Sequence, residues 1–204
     1  PSPDAKVWTF KLRKGVEFTT GKTIDADDVV ASLNHHRGED STSAASGIVK
    51  GFTDVRADGK DTVTIELGDG NADLPALLSD YHLVMCPSKD GKIQFDTPIG
   101  TGAYTMESHE LGVRMTLKRN PNYFKTDRGN FDEAEIISIP DPTAKNAALI
   151  TGSINVLHRA EVKTLPLLER TPNIAIDERT GTQHYTLPMR CDTAPFDNKD
   201  VRLA

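Results

Sequence analysis

Two cysteines in 204 residues, Cys86 and Cys191, are too few for a disulfide framework. Without CxxC spacing they offer neither a zinc site nor a dithiol redox pair. Buried free thiols are the expectation. A single long-range bridge stays open, because a sequence does not give the distance between two sulfurs. No apolar run approaches the roughly 18 residues of a membrane-spanning helix. The opening PSPDAKVW lacks an initiator Met and has neither the basic stretch nor the apolar stretch of a signal peptide, so it reads as a processed or engineered start. An excess of positive charge is missing too. With a net charge of −6, a pI near 5.5 and Lys and Arg dispersed among Asp and Glu, the chain is not expected to bind nucleic acid or an anionic membrane. Internal repeats and low-complexity segments are absent.

Catalytic signatures are also lacking. GxSxG does not occur, and GTG at 100–102 stands outside both GxGxxG and GxxxxGK[ST], so it is a tight loop rather than a phosphate cradle. His35 and His36 are adjacent, and neighbours on a helix point about 100° apart, unlike the i, i+4 pair of a preformed chelate. His82, His109, His158 and His184 are scattered, and HExxH is missing. A metal-dependent hydrolase using His35, His36 and His82 is the alternative reading, but the spacing offers it no base, nucleophile or ligand triad. No cofactor is expected.

What is present is a chain with 37% hydrophobic residues, enough to bury a good-sized core. VWTFKLRKGVEF alternates with period two, placing Trp8, Phe10 and Leu12 on one face of a strand. IDADDVVASLNHH predicts a helix capped by Asp25, with Asp27 and Asp28 in its first turn and Val29, Val30 and Leu33 as its apolar stripe. RGEDSTSAASG reads as a loop or short exposed helix. Strands over 52–57 and 62–67 flank the turn residues Asp58-Gly59. A short helix over 73–79, a strand YHLVM over 81–85 and a hairpin over 103–107 and 113–119 follow. Beyond Asn130 the order becomes strand (135–139), helix opened by Asp141-Pro142 and ended by Gly152, strand (154–157), a helical stretch through Val162, Leu165 and Leu168, and the strands NIAID and HYTLPMRC. This order predicts an α/β or mixed α+β domain around one twisted sheet, with an antiparallel hairpin insertion. Arg190 near the end of the last strand either pairs with Asp192 on the surface or anchors a ligand carboxylate, which its guanidinium fork matches.

Four stretches carry a resemblance: WTFKLRKGVEFTTGKTIDADDVVASL, PIGTGAYTMESHELGVRMTLKRNPNYF, IPDPTAKNAALITGSINVL and YTLPMRCDTAPFDNKDVRLA. In order and spacing the chain resembles the extracellular solute-binding proteins of family 5, the peptide, dipeptide and nickel receptors of bacterial ABC importers. The resemblance implies a type II periplasmic-binding-protein-like lobe in an exported, periplasmic, monomeric protein. Such a protein traps a small polar solute, such as a peptide, between two lobes and delivers it to membrane permease subunits, or serves as a ligand sensor on the same fold. On that pattern residues 1–192 form most of the first lobe and 193–204 open a helix of the second, cut after its first turn. A lone lobe would then bind weakly. By position, the ligand-contact candidates are His35, His36 and Arg37 after the Asp25 helix, Asp80, Tyr81 and His82 at the start of YHLVM, and Met189, Arg190, Cys191 and Asp192 on the crossing strand. The family commonly carries Asn where Arg190 stands, which points to a ligand with an acidic group.

Overall fold

The alternation in VWTFK builds β1 (Val7–Lys11), which half-buries Trp8 and Phe10 and exposes the residues between them. Their rings stack at 5.9 Å along the strand. In the computed structural model, which describes residues 1–39, 41–94, 98–179 and 188–203, β1 lies antiparallel to β3 (Thr62–Leu67), pairing Trp8 with Ile65 and Phe10 with Val63. The other neighbour of β3 is β2 (Phe52–Ala57), joined to it by the hairpin predicted at Asp58-Gly59, where Gly59 takes φ +90. As the central strand of β1-β3-β2, β3 is the most buried, with even the polar Thr64 covered. The Thr64 hydroxyl donates to the Asp58 carboxylate, so burying it costs no hydrogen bond.

Helix α1 (Ala26–His35) packs on this sheet through Ala26, Val29 and Leu33, a stripe one helical face wide. Asp25 caps it in a complete capping box: the Asp25 carboxylate accepts from the Asp28 N–H at 3.0 Å, and the Asp28 carboxylate accepts from the Asp25 N–H at 3.1 Å. Two short helices, α2 (Ser46–Val49) and α3 (Leu74–Leu77), add the buried side chains Val49 and Leu74 to the core. A two-stranded ribbon, β4 (Ser88–Lys89) with β5 (Lys92–Ile93), turns at Asp90-Gly91, where both residues have positive φ as a tight two-residue hairpin requires. The third sheet, β6 (Tyr104–Glu110), β7 (Arg114–Arg119) and β8 (Glu133–Ile137), has the order of its numbering. These elements form one compact unit, Pro1–Ser138.

The second unit, Ile139–Ala204, is helical where its described residues are regular. Helix α4 (Pro142–Ile150) starts as the sequence predicts: Asp141 accepts from the Ala144 N–H at 2.7 Å, and Pro142 occupies the first turn. Gly152, at φ +77, donates to the Leu149 carbonyl at 3.1 Å and ends it. A 3-10 turn (Val162–Thr164) runs into α5 (Leu165–Glu169), and α6 (Lys199–Leu203) follows Asn198, whose side chain accepts from the Asp200 N–H at 2.8 Å.

The mixed α/β class stands, but several strands do not form. Among the described residues every ladder is antiparallel and the strands lie in three sheets rather than one. YHLVM is not a strand, because Asp80 turns the chain there: its carboxylate accepts from the His82 N–H at 2.9 Å, and the Leu83 N–H donates to the Asp80 carbonyl at 3.0 Å. The strands expected at 154–157 and in NIAID are irregular, with Val156 80% exposed. An alternating apolar pattern makes a strand only when a neighbour completes the ladder. Of the expected crossing strand, 184–187 lie outside the described residues, and 188–191 carry no ladder.

Candidate functional site

On the first unit, the residues after α1 are held by their own turn. The His36 N–H donates to the Leu33 carbonyl at 3.2 Å, which buries the imidazole and sets its Nδ1 2.6 Å from the Ser43 hydroxyl. The His35 and His36 rings meet edge to face at 5.2 Å. Arg37 folds back across the sheet: it donates to Asn34 Oδ1 at 2.6 Å, to the Phe52 carbonyl at 2.8 Å and to the Thr53 carbonyl at 3.1 Å. Its guanidinium thus clasps α1 to β2. Beside it opens a groove of about 690 Å³, lined in part by His36, Arg37, Glu39, Ser41, Lys50 and Phe52.

The turn at Asp80 presents a second cluster. Asp80 Oδ1 also lies 2.8 Å from His82 Nδ1, and the His82 ring lies 3.9 Å from that of Tyr81, a large aromatic left 80% exposed. The Asp80 carboxyl is held below its ordinary range, first by the His82 N–H and then by the imidazole. His36 senses this neighbourhood. Burial pushes its pKa down, and the charges of His35 and His82 push it further, so its neutral form is favoured. Two stretches more than 40 residues apart therefore share one electrostatic environment on this unit, which spacing alone does not reveal. Even so, among the described residues no three His, Cys, Asp or Glu side chains are arranged to hold a metal ion. His184 falls outside those residues.

On the second unit, Arg190 and Asp192 form a bidentate pair, Nε to Oδ1 at 3.1 Å and Nη2 to Oδ2 at 2.8 Å, and both are exposed. The pairing raises the Arg190 pKa and lowers that of Asp192. Met189 is exposed, and its carbonyl accepts from the Cys191 thiol at 3.5 Å. Both cysteines are free; Cys86 is buried as expected, whereas Cys191 is exposed because the loop around it packs few side chains.

Asp28 forms a polar site that its place in the sequence does not announce. Beyond its capping role it is fully buried, and its carboxylate accepts from the Ser88 N–H at 2.7 Å, the Ser88 hydroxyl at 2.9 Å and the Lys22 ammonium. Burial alone would raise its pKa, but the donors from Lys22, Ser88 and Asp25 together outweigh burial and lower it. The neighbouring Ser32 hydroxyl donates to the Asp28 carbonyl at 2.7 Å and accepts from the Cys86 N–H at 2.9 Å. This network fastens α1 to the chain around β4. Its signal in the sequence, an acidic residue at the third helical position, is indistinguishable from an ordinary cap.

The mixed α/β scaffold thus carries polar clusters around His36 and Asp80, and among the described residues no metal-holding set accompanies them. The chain belongs to the bacterial extracellular solute-binding proteins, family 5, whose middle-region model matches residues 1–204. That family serves transport rather than catalysis. The chain is 30% identical, over its whole length, to a probable peptide ABC transporter periplasmic-binding protein of Sinorhizobium fredii, of which it covers 41%. Among solved structures it is similar to the ABC transporter-associated periplasmic binding protein DppA of Helicobacter pylori in complex with the peptide STSA, with a TM-score of 0.73 and 25% identity over 86% of this chain and 39% of that one. It shares its fold with the periplasmic binding protein AgaA of A. tumefaciens R10 in complex with agropinic acid, with a TM-score of 0.77 and 23% identity over 84% of this chain and 35% of that one. The chain thus spans between 35% and 41% of the length of these proteins.

Proposed function

We propose that this chain is part of the substrate-binding component of a bacterial ABC importer, exported to the periplasm and working as a monomer with membrane permease subunits. The observation that carries this reading is the family match over the whole chain. Residues 1–192 are then most of one lobe, and 193–204 open a helix of the other. Such receptors work by hinge closure, in which the solute stabilises a closed state through contacts unavailable in the open one. A peptide or peptide-like polar solute is the cargo favoured by the two relatives associated with peptides. On the first unit, the exposed Tyr81 ring with His82 and His35, backed by the buried His36, offers an aromatic and polar surface to such a solute. Arg37 supports that surface rather than touching the solute, because both its Nη groups are engaged by the protein. On the second unit, Arg190 offers a carboxylate anchor once Asp192 releases it, with Met189 and Cys191 beside it.

A thermal-shift screen on the full-length protein tests the reading, because a solute bound only by the native state raises its melting temperature by mass action. Di- and tripeptides and acidic amino-acid conjugates form the panel, and at least one class is expected to raise the transition in proportion to the logarithm of its concentration. A flat response to the whole panel, together with zinc- or nickel-dependent peptide hydrolysis by the purified protein, would favour the hydrolase alternative instead.

A further inference from the structure

The third sheet carries a groove unrelated to the residues above. It has a volume of about 910 Å³ and runs between β6, β7 and the loop that joins β7 to β8. Four cations line it, Lys118, Arg119, Lys125 and Arg128, against two carboxylates, Glu107 and Asp132. In a chain of net charge −6 this is a local reversal of sign. The cations are also loosely paired. Lys118 lies 3.9 Å from Glu107, Arg119 lies 3.8 Å from Asp132, and Arg128 lies 3.7 Å from Asp127, all longer than a charge-assisted hydrogen bond. Lys125 sits over the Phe124 ring at 5.4 Å. Elsewhere on this unit, arginines are closely paired: Arg56 bonds Asp54 at 2.8 Å, and Arg114 bonds Glu135 at 3.0 Å. The donors in the groove therefore retain capacity for an incoming anion.

The groove is built in advance of any ligand. Asn120, itself buried, donates through Nδ2 to the Gly102 carbonyl at 3.0 Å and through its N–H to the Ala103 carbonyl at 2.9 Å, while its Oδ1 accepts from the Asn122 N–H at 3.0 Å. At the far end of the loop, Gly129 at φ +71 approaches Ala103 so closely that a Cβ would fall 2.8 Å from the Ala103 methyl. Both ends of the loop are thus pinned to the start of β6, and little ordering is left to oppose binding. Between the cations the groove exposes an apolar floor that includes Met106 and Tyr123.

We infer that this groove docks an acidic peptide segment of a partner protein, with Asp or Glu side chains engaging Arg119 and Lys125 and apolar atoms lying on Met106 and Tyr123. Spaced carboxylates on a partly apolar chain match cations that alternate with apolar floor, whereas a phosphate headgroup calls for donors converging on one point. The inference uses none of the solute-contact candidates, so it stands or falls separately from the importer reading.

Fluorescein-labelled hexaglutamate is the probe, and fluorescence anisotropy with the purified protein is the measurement. Saturable binding is expected at low ionic strength, weakened at about 0.15 M salt, where the Debye length is near 8 Å. The Arg119→Glu/Lys125→Glu variant is expected to lose about tenfold or more in affinity. Arg119→Gln/Lys125→Gln should lose less, and Lys60→Glu/Lys92→Glu, with the same net charge as the first variant, should bind as the parent does. Urea midpoints near that of the parent verify that the variants fold. No saturable binding, an equal loss in the Lys60/Lys92 variant, or capture by phosphatidylglycerol vesicles without binding of hexaglutamate would each overturn the inference.

Discussion

Ser88 meets the fully buried carboxylate of Asp28 twice, through its backbone N–H at 2.7 Å and its hydroxyl at 2.9 Å, across 60 positions of sequence. With Lys22 and the Asp25 N–H, the carboxylate has four donors and no contact with solvent. Asp28→Ala strands those donors and leaves Lys22 without its buried partner. Loss of one member of such a set costs on the order of 3 kcal/mol, which urea denaturation of the variant should show as a lowered midpoint at unchanged slope.

Acid should act through the same carboxylate. The folded-state pKa of Asp28 is lowered, so the unfolded chain takes up a proton at a higher pH than the folded one does. Its contribution is complete above the ordinary carboxylate range near 4 and is lost as the pH falls through the folded value. Urea midpoints measured from pH 6 down to pH 3, at intervals of about half a unit, are expected to fall less steeply in Asp28→Asn than in the parent.

His36 responds in a higher window. Burial first, then His35 and His82, depress its pKa, so the unfolded chain binds more protons once the pH drops below about 6.5. Stability should decline through that value on acidification and level off below the folded-state pKa. NMR titration is expected to place His36 below the ordinary imidazole value, and His82→Asn should move it upward by removing one repelling charge. An unchanged His36 titration in that variant would separate the two residues electrostatically.

The two thiols should differ in chemistry. Cys191 is exposed, whereas Cys86 is buried and its pKa is raised by that burial, which keeps thiolate scarce. Titration with an aromatic disulfide reagent should therefore modify Cys191 promptly in the native protein and reach Cys86 only in denaturant.

Arg190 offers its fork to Asp192, and in the proposed role of Arg190 as a carboxylate anchor an acidic solute has to displace that partner. Asp192→Asn is expected to raise affinity for acidic members of the solute panel by removing the competitor, and Arg190→Ala to lower it, with neutral peptides little affected in either variant. Calorimetry of the variants measures both changes. Equal affinities across parent and variants would assign the pair to the surface alone.

The sequence by itself determined the elements whose causes are local. Asp25 and the stripe Val29, Val30 and Leu33 specify α1; Asp58-Gly59 between alternating runs specifies β2 and β3; Asp141-Pro142 and Gly152 bound α4. In each case the deciding residues lie within a few positions of one another, where a cap, a turn or a period acts without help from the rest of the chain. Family membership was legible for a related reason, since four separated stretches kept their order and spacing. Only the tertiary structure decided which apolar runs became strands, because a ladder needs a partner that the run does not encode; YHLVM and NIAID are apolar enough for strands, yet among the described residues neither is in a ladder. It alone placed His82 within electrostatic reach of His36, turned Arg37 back onto the Phe52 carbonyl and buried Asp28 under Ser88. Burial and charge proximity are properties of what packs against a residue, and that neighbour is seldom its neighbour in sequence.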